Sequence, residues 1–96
     1  MIIDRTTFQA KPGLRHELIK WVKELIQWEG FATARVFTSE FGDYDRVTLW
    51  VEWDTMEDRQ EWVDGQDPSR PGFLEFVGKL KDLREAGTNH ELLREQ

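Results

Sequence analysis

The stretch from Arg46 to Trp53 is the feature that most constrains how this chain folds. Its side chains alternate with a period of two, which predicts a β-strand. One face carries Val47, Leu49, Val51 and Trp53, and the other carries Arg46, Thr48, Trp50 and Glu52. Because Trp50 lies opposite an apolar face, each side of this strand presents a large aromatic group. A sheet built around this strand is therefore expected to be covered on both faces.

The rest of the chain supplies three more strands and two or three helices. Strands are predicted at residues 2–10, 31–41 and 89–94, and residues 42–45 form the turn of a hairpin between strands two and three. Apolar residues spaced by three and four predict helices at 14–28 and 72–85, and another that Asp54 or Thr55 caps. The order β-α-β-β-α-(α)-β predicts an α+β, ferredoxin-like fold: an antiparallel sheet with helices on one face.

Because the predicted helices cover only one face of the sheet, the other face needs a different cover. In the second strand, Ala32, Ala34 and Val36 share one face, and Phe31 and Phe37 share the other. Large apolar groups on both faces favour a second copy of the chain as the cover, so we expect a homodimer. The alternative is a monomer with a few exposed aromatic residues.

Composition excludes several classes of function. The 96 residues suffice for one domain, expected to span 1–96, and contain no cysteine, which excludes disulfides, thiolate zinc sites and cysteine nucleophiles. A net charge of −6 argues against nucleic acid as a partner. No apolar run approaches the roughly 20 residues that span a bilayer, and the first residues do not resemble a signal peptide. We therefore expect a cytoplasmic protein without a membrane partner.

Five residues are candidates for binding a ligand. Arg5 and Arg35 fall within predicted strands, where a guanidinium either pairs with a carboxylate such as Asp4 or Glu52, reaches solvent, or faces a cavity. Tyr44 lies in the predicted hairpin turn, where it has a turn role or donates a hydrogen bond at a pocket mouth. Trp50 and Trp53 each fill a packed layer or line an aromatic pocket.

The sequence predicts neither a metal site nor a cofactor. His16 falls on the polar side of the first helix, and the facing of His90 depends on a strand register that the sequence does not fix. Two distant histidines do not make a metal site, and the acidic stretch Asp54–Asp67 lacks calcium-loop spacing. Phosphate-binding and nucleophile-elbow motifs are also absent from the sequence.

Ordered along the chain, several segments resemble those of NIPSNAP-like proteins, within the dimeric α+β barrel superfamily. The resemblance runs through a first strand and a Lys-Pro-Gly turn, a glycine-containing hairpin, a strand-to-helix junction and a last helix. These segments are Ile3–Phe8 with Lys11–Gly13, Phe41–Val47, Leu49–Arg59, and Phe73 and Phe76 with Lys79–Leu80.

The resemblance implies a homodimer with a small-molecule cavity between sheet and helices, but no single activity. We therefore expect a protein that binds a small organic molecule, or one whose role is purely structural. The alternative is a cofactor-independent monooxygenase of the antibiotic-biosynthesis type, acting on an aromatic or enolisable substrate. In that case Trp50 or Trp53 would form a dry aromatic pocket, and Arg5, Arg35 or Tyr44 would stabilise an oxyanion.

Overall fold

The computed structural model describes residues 1–85 and 87–96 and contains a four-stranded antiparallel sheet in the order β2-β3-β1-β4. The strands are β1 (Ile2–Gln9), β2 (Ala34–Thr38), β3 (Arg46–Trp53) and β4 (Asn89–Arg94). The helices are α1 (Arg15–Glu29), α2 (Met56–Asp64), α3 (Phe73–Gly78) and α4 (Leu80–Leu83). This order confirms the predicted ferredoxin-like α+β fold.

The predicted apolar face of β3 is the sheet side of the core. Val47, Leu49 and Val51 are buried. Antiparallel pairing places Val47 opposite Phe8 of β1 and Val51 opposite Asp4, so these residues share the face that carries the helices. We call it the helix face and the opposite side the open face.

Helix α1 supplies the other half of the core. Leu18, Trp21 and Val22 are buried at the helical spacing that the sequence showed. The Trp21 ring stacks on Phe76 of α3 with centroids 4.9 Å apart, and its indole N–H donates to the Phe76 carbonyl at 2.9 Å. The stacking and the hydrogen bond together attach the C-terminal helices to α1.

Two predicted helix boundaries are confirmed by their capping geometry. Gly30 ends α1 with φ of 66°, a left-handed conformation that glycine adopts without steric cost, and its N–H bonds the Ile26 carbonyl. Of the two cap candidates for α2, Thr55 is the N-cap, because its hydroxyl accepts the Asp58 N–H at 3.1 Å.

The second strand is shorter than predicted, and one face assignment was wrong. The regular strand ladder with β3 covers residues 34–38, rather than 31–41. Phe31 precedes the strand and packs on the helix side, 4.8 Å from Trp62 and 6.1 Å from Trp53 between ring centroids. Contact with α2, which the strand pattern does not encode, overrides the expected alternation. Phe37 lies on the open face as predicted, packed against Trp50.

The predicted helix 72–85 forms as two short pieces, α3 and α4. Gly78 ends α3, consistent with the low helix propensity of glycine. The second piece ends before residue 85 because the backbone turns to the sheet: Arg84 forms an isolated bridge with Ala10, and the Glu85 N–H donates to the Gln9 carbonyl at 2.7 Å. Tertiary pairing with the end of β1 therefore replaces the last helical turn.

The open face carries both apolar and charged groups. Trp50 lies between Arg35 of β2 and Arg5 of β1 in direct cross-strand register, and Arg5 pairs with Glu91 of β4. The Trp50 N–H donates to Glu52 at 3.1 Å.

None of the helices formed by residues 1–85 and 87–96 is long and apolar enough to span a bilayer. The cytoplasmic location stays a prediction.

Candidate functional site

A cleft of about 240 Å³ lies between the helix face of the sheet and helices α1 and α2. Its walls are mostly apolar and its polar groups come from four different elements. The apolar lining consists of Phe8, Leu25, Phe31, Leu49, Val51 and Trp62, and the polar lining of Asp4, Thr6, Glu29, Arg59 and His90. An apolar concavity with a few converging polar groups is the usual form of a small-molecule site.

The polar end of the cleft is organised around the Asp4 carboxylate. Arg59 of α2 donates to both carboxylate oxygens, at 2.8 Å from Nε and 3.2 Å from Nη2. The Trp53 indole donates at 2.7 Å, and the His90 imidazole Nε2 lies 2.8 Å from Oδ1. Three elements, α2, β3 and β4, therefore converge on one side chain of β1.

These contacts decide the ionisation of Asp4. Its side chain is only 14% exposed, and burial by itself would raise the pKa of this carboxyl. The hydrogen bonds from Arg59, His90 and Trp53, together with the positive charge of Arg59, outweigh burial and hold the pKa of Asp4 below its ordinary value. The carboxylate is therefore ionised at neutral pH and stays fixed in place.

Glu29, at the end of α1, is a second carboxyl in the cleft with a different environment. Burial raises the pKa of Glu29, and the Arg70 guanidinium opposes that rise from 3.5 Å. Arg70 itself lies over the Phe73 ring at 3.7 Å. The two carboxyl groups of the cleft thus have pKa values shifted in opposite directions by their surroundings.

The structure fixes the facing of His90, which the sequence left open. Its pairing with Thr6 across β1 and β4 places it on the helix face, beside Asp4 and at the cleft lining. The side chain is 48% exposed, so it lies where the cleft meets solvent. His16, by contrast, is exposed on α1, as the sequence predicts.

Three of the five predicted ligand candidates lie together on the open face. Arg5, Arg35 and Trp50 border a separate hollow of about 420 Å³, whose remaining lining is Phe37, Thr48 and Glu52. Arg5 is paired with Glu91, whereas Arg35 is exposed. Their role in ligand binding stays a prediction.

The other two candidates are separate from that hollow. Tyr44 lies in the hairpin turn under the Arg15 guanidinium, 4.2 Å from its ring centroid, and its backbone carbonyl accepts a hydrogen bond from Arg15. Trp53 faces the helices and touches the cleft indirectly, through its hydrogen bond to Asp4 and its packing against Trp62.

Sequence reasoning missed Asp4, Glu29 and Arg59 as site residues. Two signals were present. Asp4 alternates with Phe8 onto the apolar side of β1, and Arg59 interrupts the apolar stripe of α2. A cation on one inward-facing stripe and a carboxylate on another predict that the two meet. The sequence contains no comparable signal for Glu29.

Among the residues described, no group of three or more His, Asp or Glu side chains is arranged to hold a metal ion.

Replacing Asp4 tests how this carboxylate stabilises the fold. Because its pKa is lowered in the folded state, its contribution is fully present above the unfolded-state pKa, about 3.9, and is lost as the pH falls through the folded-state value. Asp4→Asn should lower the free energy of unfolding at pH 7 by about 1.5–3 kcal/mol, and the difference from wild type should shrink towards pH 2. Urea unfolding at several pH values measures this.

The control for that series is Asp82→Asn, which removes an exposed carboxylate of α4. It should follow the wild-type pH profile. A destabilisation by Asp4→Asn that is equal at pH 7 and pH 2 would contradict an ionised, hydrogen-bonded Asp4.

Known proteins resemble this chain in fold rather than in sequence. Neither a protein-family model nor a curated protein sequence matches this chain. Solved structures do. A NIPSNAP domain protein from Burkholderia xenovorans superposes with a TM-score of 0.78 at 17% identity, over 100% of this chain and 95% of its own.

Two further structures extend the comparison. A NIPSNAP family protein of unknown function from Agrobacterium tumefaciens gives a TM-score of 0.73 at 23% identity, over 97% of this chain and 86% of its own. SnoaB, a cofactor-independent oxygenase from Streptomyces nogalater, gives a TM-score of 0.69 at 15% identity, over 99% of this chain and 92% of its own. The chain therefore has the α+β fold shared by NIPSNAP family proteins and antibiotic-biosynthesis monooxygenases.

Proposed function

We propose that the protein binds a small, mainly apolar organic molecule in the cleft between the sheet and its helices. The observation that carries this proposal is an apolar cleft closed at one end by a fixed set of polar groups around Asp4. Its volume of about 240 Å³ lies below the roughly 300–1,000 Å³ typical of drug-sized ligands. A ligand of one or two rings suits that space.

The lining also limits the chemistry of the ligand. Phe31 and Trp62 present aromatic rings, which favour a flat molecule packed against them. The Asp4 and Arg59 charges offset each other, and Glu29 is balanced in part by Arg70. A neutral molecule with a carbonyl or hydroxyl group is therefore better matched to the cleft than a fully charged one.

A cofactor-independent oxygenase is the second candidate, in which the bound molecule would react with oxygen as its carbanion. The presence of an imidazole held by a carboxylate beside an apolar cleft favours it, because such a pair can remove a proton. The fold shared with SnoaB is consistent with this candidate. Fold alone does not select an activity.

We also propose that a second copy of the chain covers the open face. Trp50 and Phe37 form an edge-to-face aromatic pair there, with centroids 6.3 Å apart, and Phe37 is 47% exposed. The same face carries carboxylates as well as guanidinium groups, which allows a self-complementary two-fold contact. A cytoplasmic homodimer is thus the proposed form of the protein.

Ligand binding is tested by titrating the protein with β-tetralone, a neutral bicyclic ketone, and recording tryptophan fluorescence. Saturable quenching is expected, because Trp62 lines the cleft and Trp53 lies next to it. Leu25→Phe, which fills the cleft, should weaken binding by roughly tenfold or more, whereas Trp50→Phe on the open face should not. Equal affinity in Leu25→Phe and wild type would place binding elsewhere.

Oxygen consumption separates the two candidate functions. With the same ketone bound, an oxygen electrode should record uptake above the protein-free rate if the protein is an oxygenase, and this uptake should disappear in Leu25→Phe. If the ketone binds but no oxygen is consumed, the ketone is not an oxygenase substrate of this protein. The binding proposal is unaffected by that result.

The oligomeric state is tested by native mass spectrometry at micromolar concentration. Two 11.4-kDa chains are expected to remain together. Trp50→Glu should produce monomer, because it places a charge in the centre of the proposed contact. Phe41→Glu, at a residue 93% exposed in the hairpin turn, is the control and should remain dimeric. A wild-type mass of a single chain would contradict the proposal.

A further inference from the structure

The cleft contains an imidazole and a carboxylate arranged so that the imidazole could transfer a proton to and from a carbon atom. The His90 Nε2 atom lies 2.8 Å from Asp4, and within the described residues its Nδ1 atom has no hydrogen-bond partner. A carboxylate on Nε2 favours the tautomer with the proton on Nε2, which leaves Nδ1 as a free base. This is the arrangement by which a buried carboxylate orients an imidazole for general-base catalysis.

The carboxylate that orients His90 is itself immobilised. Arg59 donates two hydrogen bonds to Asp4, and Trp53 donates a third. A base whose orienting group is fixed by a further set of donors keeps its position without rearrangement during reaction. Asp4 therefore acts as a positioning residue for His90.

Arg59 also supplies a place for negative charge. Its Nε and Nη2 atoms bond Asp4, whereas Nη1 has no hydrogen-bond partner among residues 1–85 and 87–96. Arg59 and His90 both line the cleft, and both contact the Oδ1 atom of Asp4. A carbonyl group bound between them would have a base near its neighbouring carbon and a cation near its oxygen.

From this arrangement we propose that the protein catalyses reversible enolisation of a small apolar ketone in the cleft, with His90 as the base and Arg59 as the group that binds the enolate oxygen. This inference rests on the proposed binding function and goes beyond it, since it names a substrate class and a reaction. It requires neither oxygen nor a cofactor.

The reaction balances within the site. His90 Nδ1 accepts a proton from the carbon next to the carbonyl, and the C–H electron pair becomes the C=C bond of the enolate. The carbonyl π pair moves to oxygen, where Arg59 donates a hydrogen bond. After His90 exchanges its proton with solvent, it returns a proton to the same carbon, which replaces the hydrogen there. With a β,γ-unsaturated ketone it can instead protonate the γ carbon of the dienolate, which gives the conjugated isomer.

Proton NMR of β-tetralone in deuterated buffer tests this inference. Wild-type protein in substoichiometric amount should accelerate loss of the proton signals next to the carbonyl. At saturating ketone, His90→Gln should lower the protein-dependent rate by roughly 10²–10⁴-fold. His16→Gln, which removes the exposed histidine of α1, should exchange at the wild-type rate.

Asp4→Asn separates positioning from binding. At saturating ketone it should reduce the exchange rate by a larger factor than it weakens affinity, because the carboxylate contacts His90 and Arg59, the two groups proposed to act on the ketone. Bound ketone that exchanges no faster than in buffer, or His90→Gln that exchanges at the wild-type rate, would overturn the inference without affecting the binding proposal. Absence of binding would instead overturn the proposed function, and the inference with it.

Discussion

The carboxylate of Asp4 is the group on which the helix side of this molecule depends. A charge on the core face of a central strand is costly unless it is paired and hydrogen-bonded. Trp53, Arg59 and His90 meet that requirement from three different elements. The same contacts connect α2 and β4 to β1 beside the cleft. The contacts that satisfy this partly buried charge thus form the polar end of the cleft.

The charged groups on the two faces of the sheet have different partners. On the helix face, Asp4 and Arg59 form one closely bonded pair, and their neighbours are aromatic. On the open face, Arg5 bonds Glu91, and Trp50 bonds Glu52. Charges satisfied within one chain lower the cost of covering that face with a second copy, because fewer unpaired groups lose water on association. The open face is therefore compatible with a close contact despite its polar content.

Local periodicity predicted the elements whose contacts repeat at regular spacing. The alternation of β3 and the apolar stripe of α1 were sufficient to place Val47, Leu49, Leu18 and Val22 in the core. Phe31 and the last turn of the predicted third helix were misplaced, because contacts with Trp62 and with Ala10 are distant in sequence. Periodicity carries no information about such contacts.

The candidate site was less predictable than the fold for a related reason. The facing of His90 depends on the register between β4 and β1, and one residue of slippage would have turned it to the open face. The predicted pairing of Arg5 with Asp4 is wrong, because alternation along β1 directs the two side chains to opposite faces and Arg5 pairs with Glu91 instead. Arg59 in the stripe of α2 was the one local sign that a carboxylate lay beneath that helix.

The cleft is lined by charged as well as apolar side chains. Arg59 of α2 and Glu29 of α1 line it together with Leu49 and Val51 of the sheet. Replacing a buried ion pair by apolar residues of similar volume is often neutral or stabilising. Stability alone therefore does not account for Asp4 and Arg59 at these positions. The proposed function supplies another rationale for these two residues beside an aromatic wall and a half-exposed imidazole, because a ligand site needs a few placed polar groups in an apolar cleft.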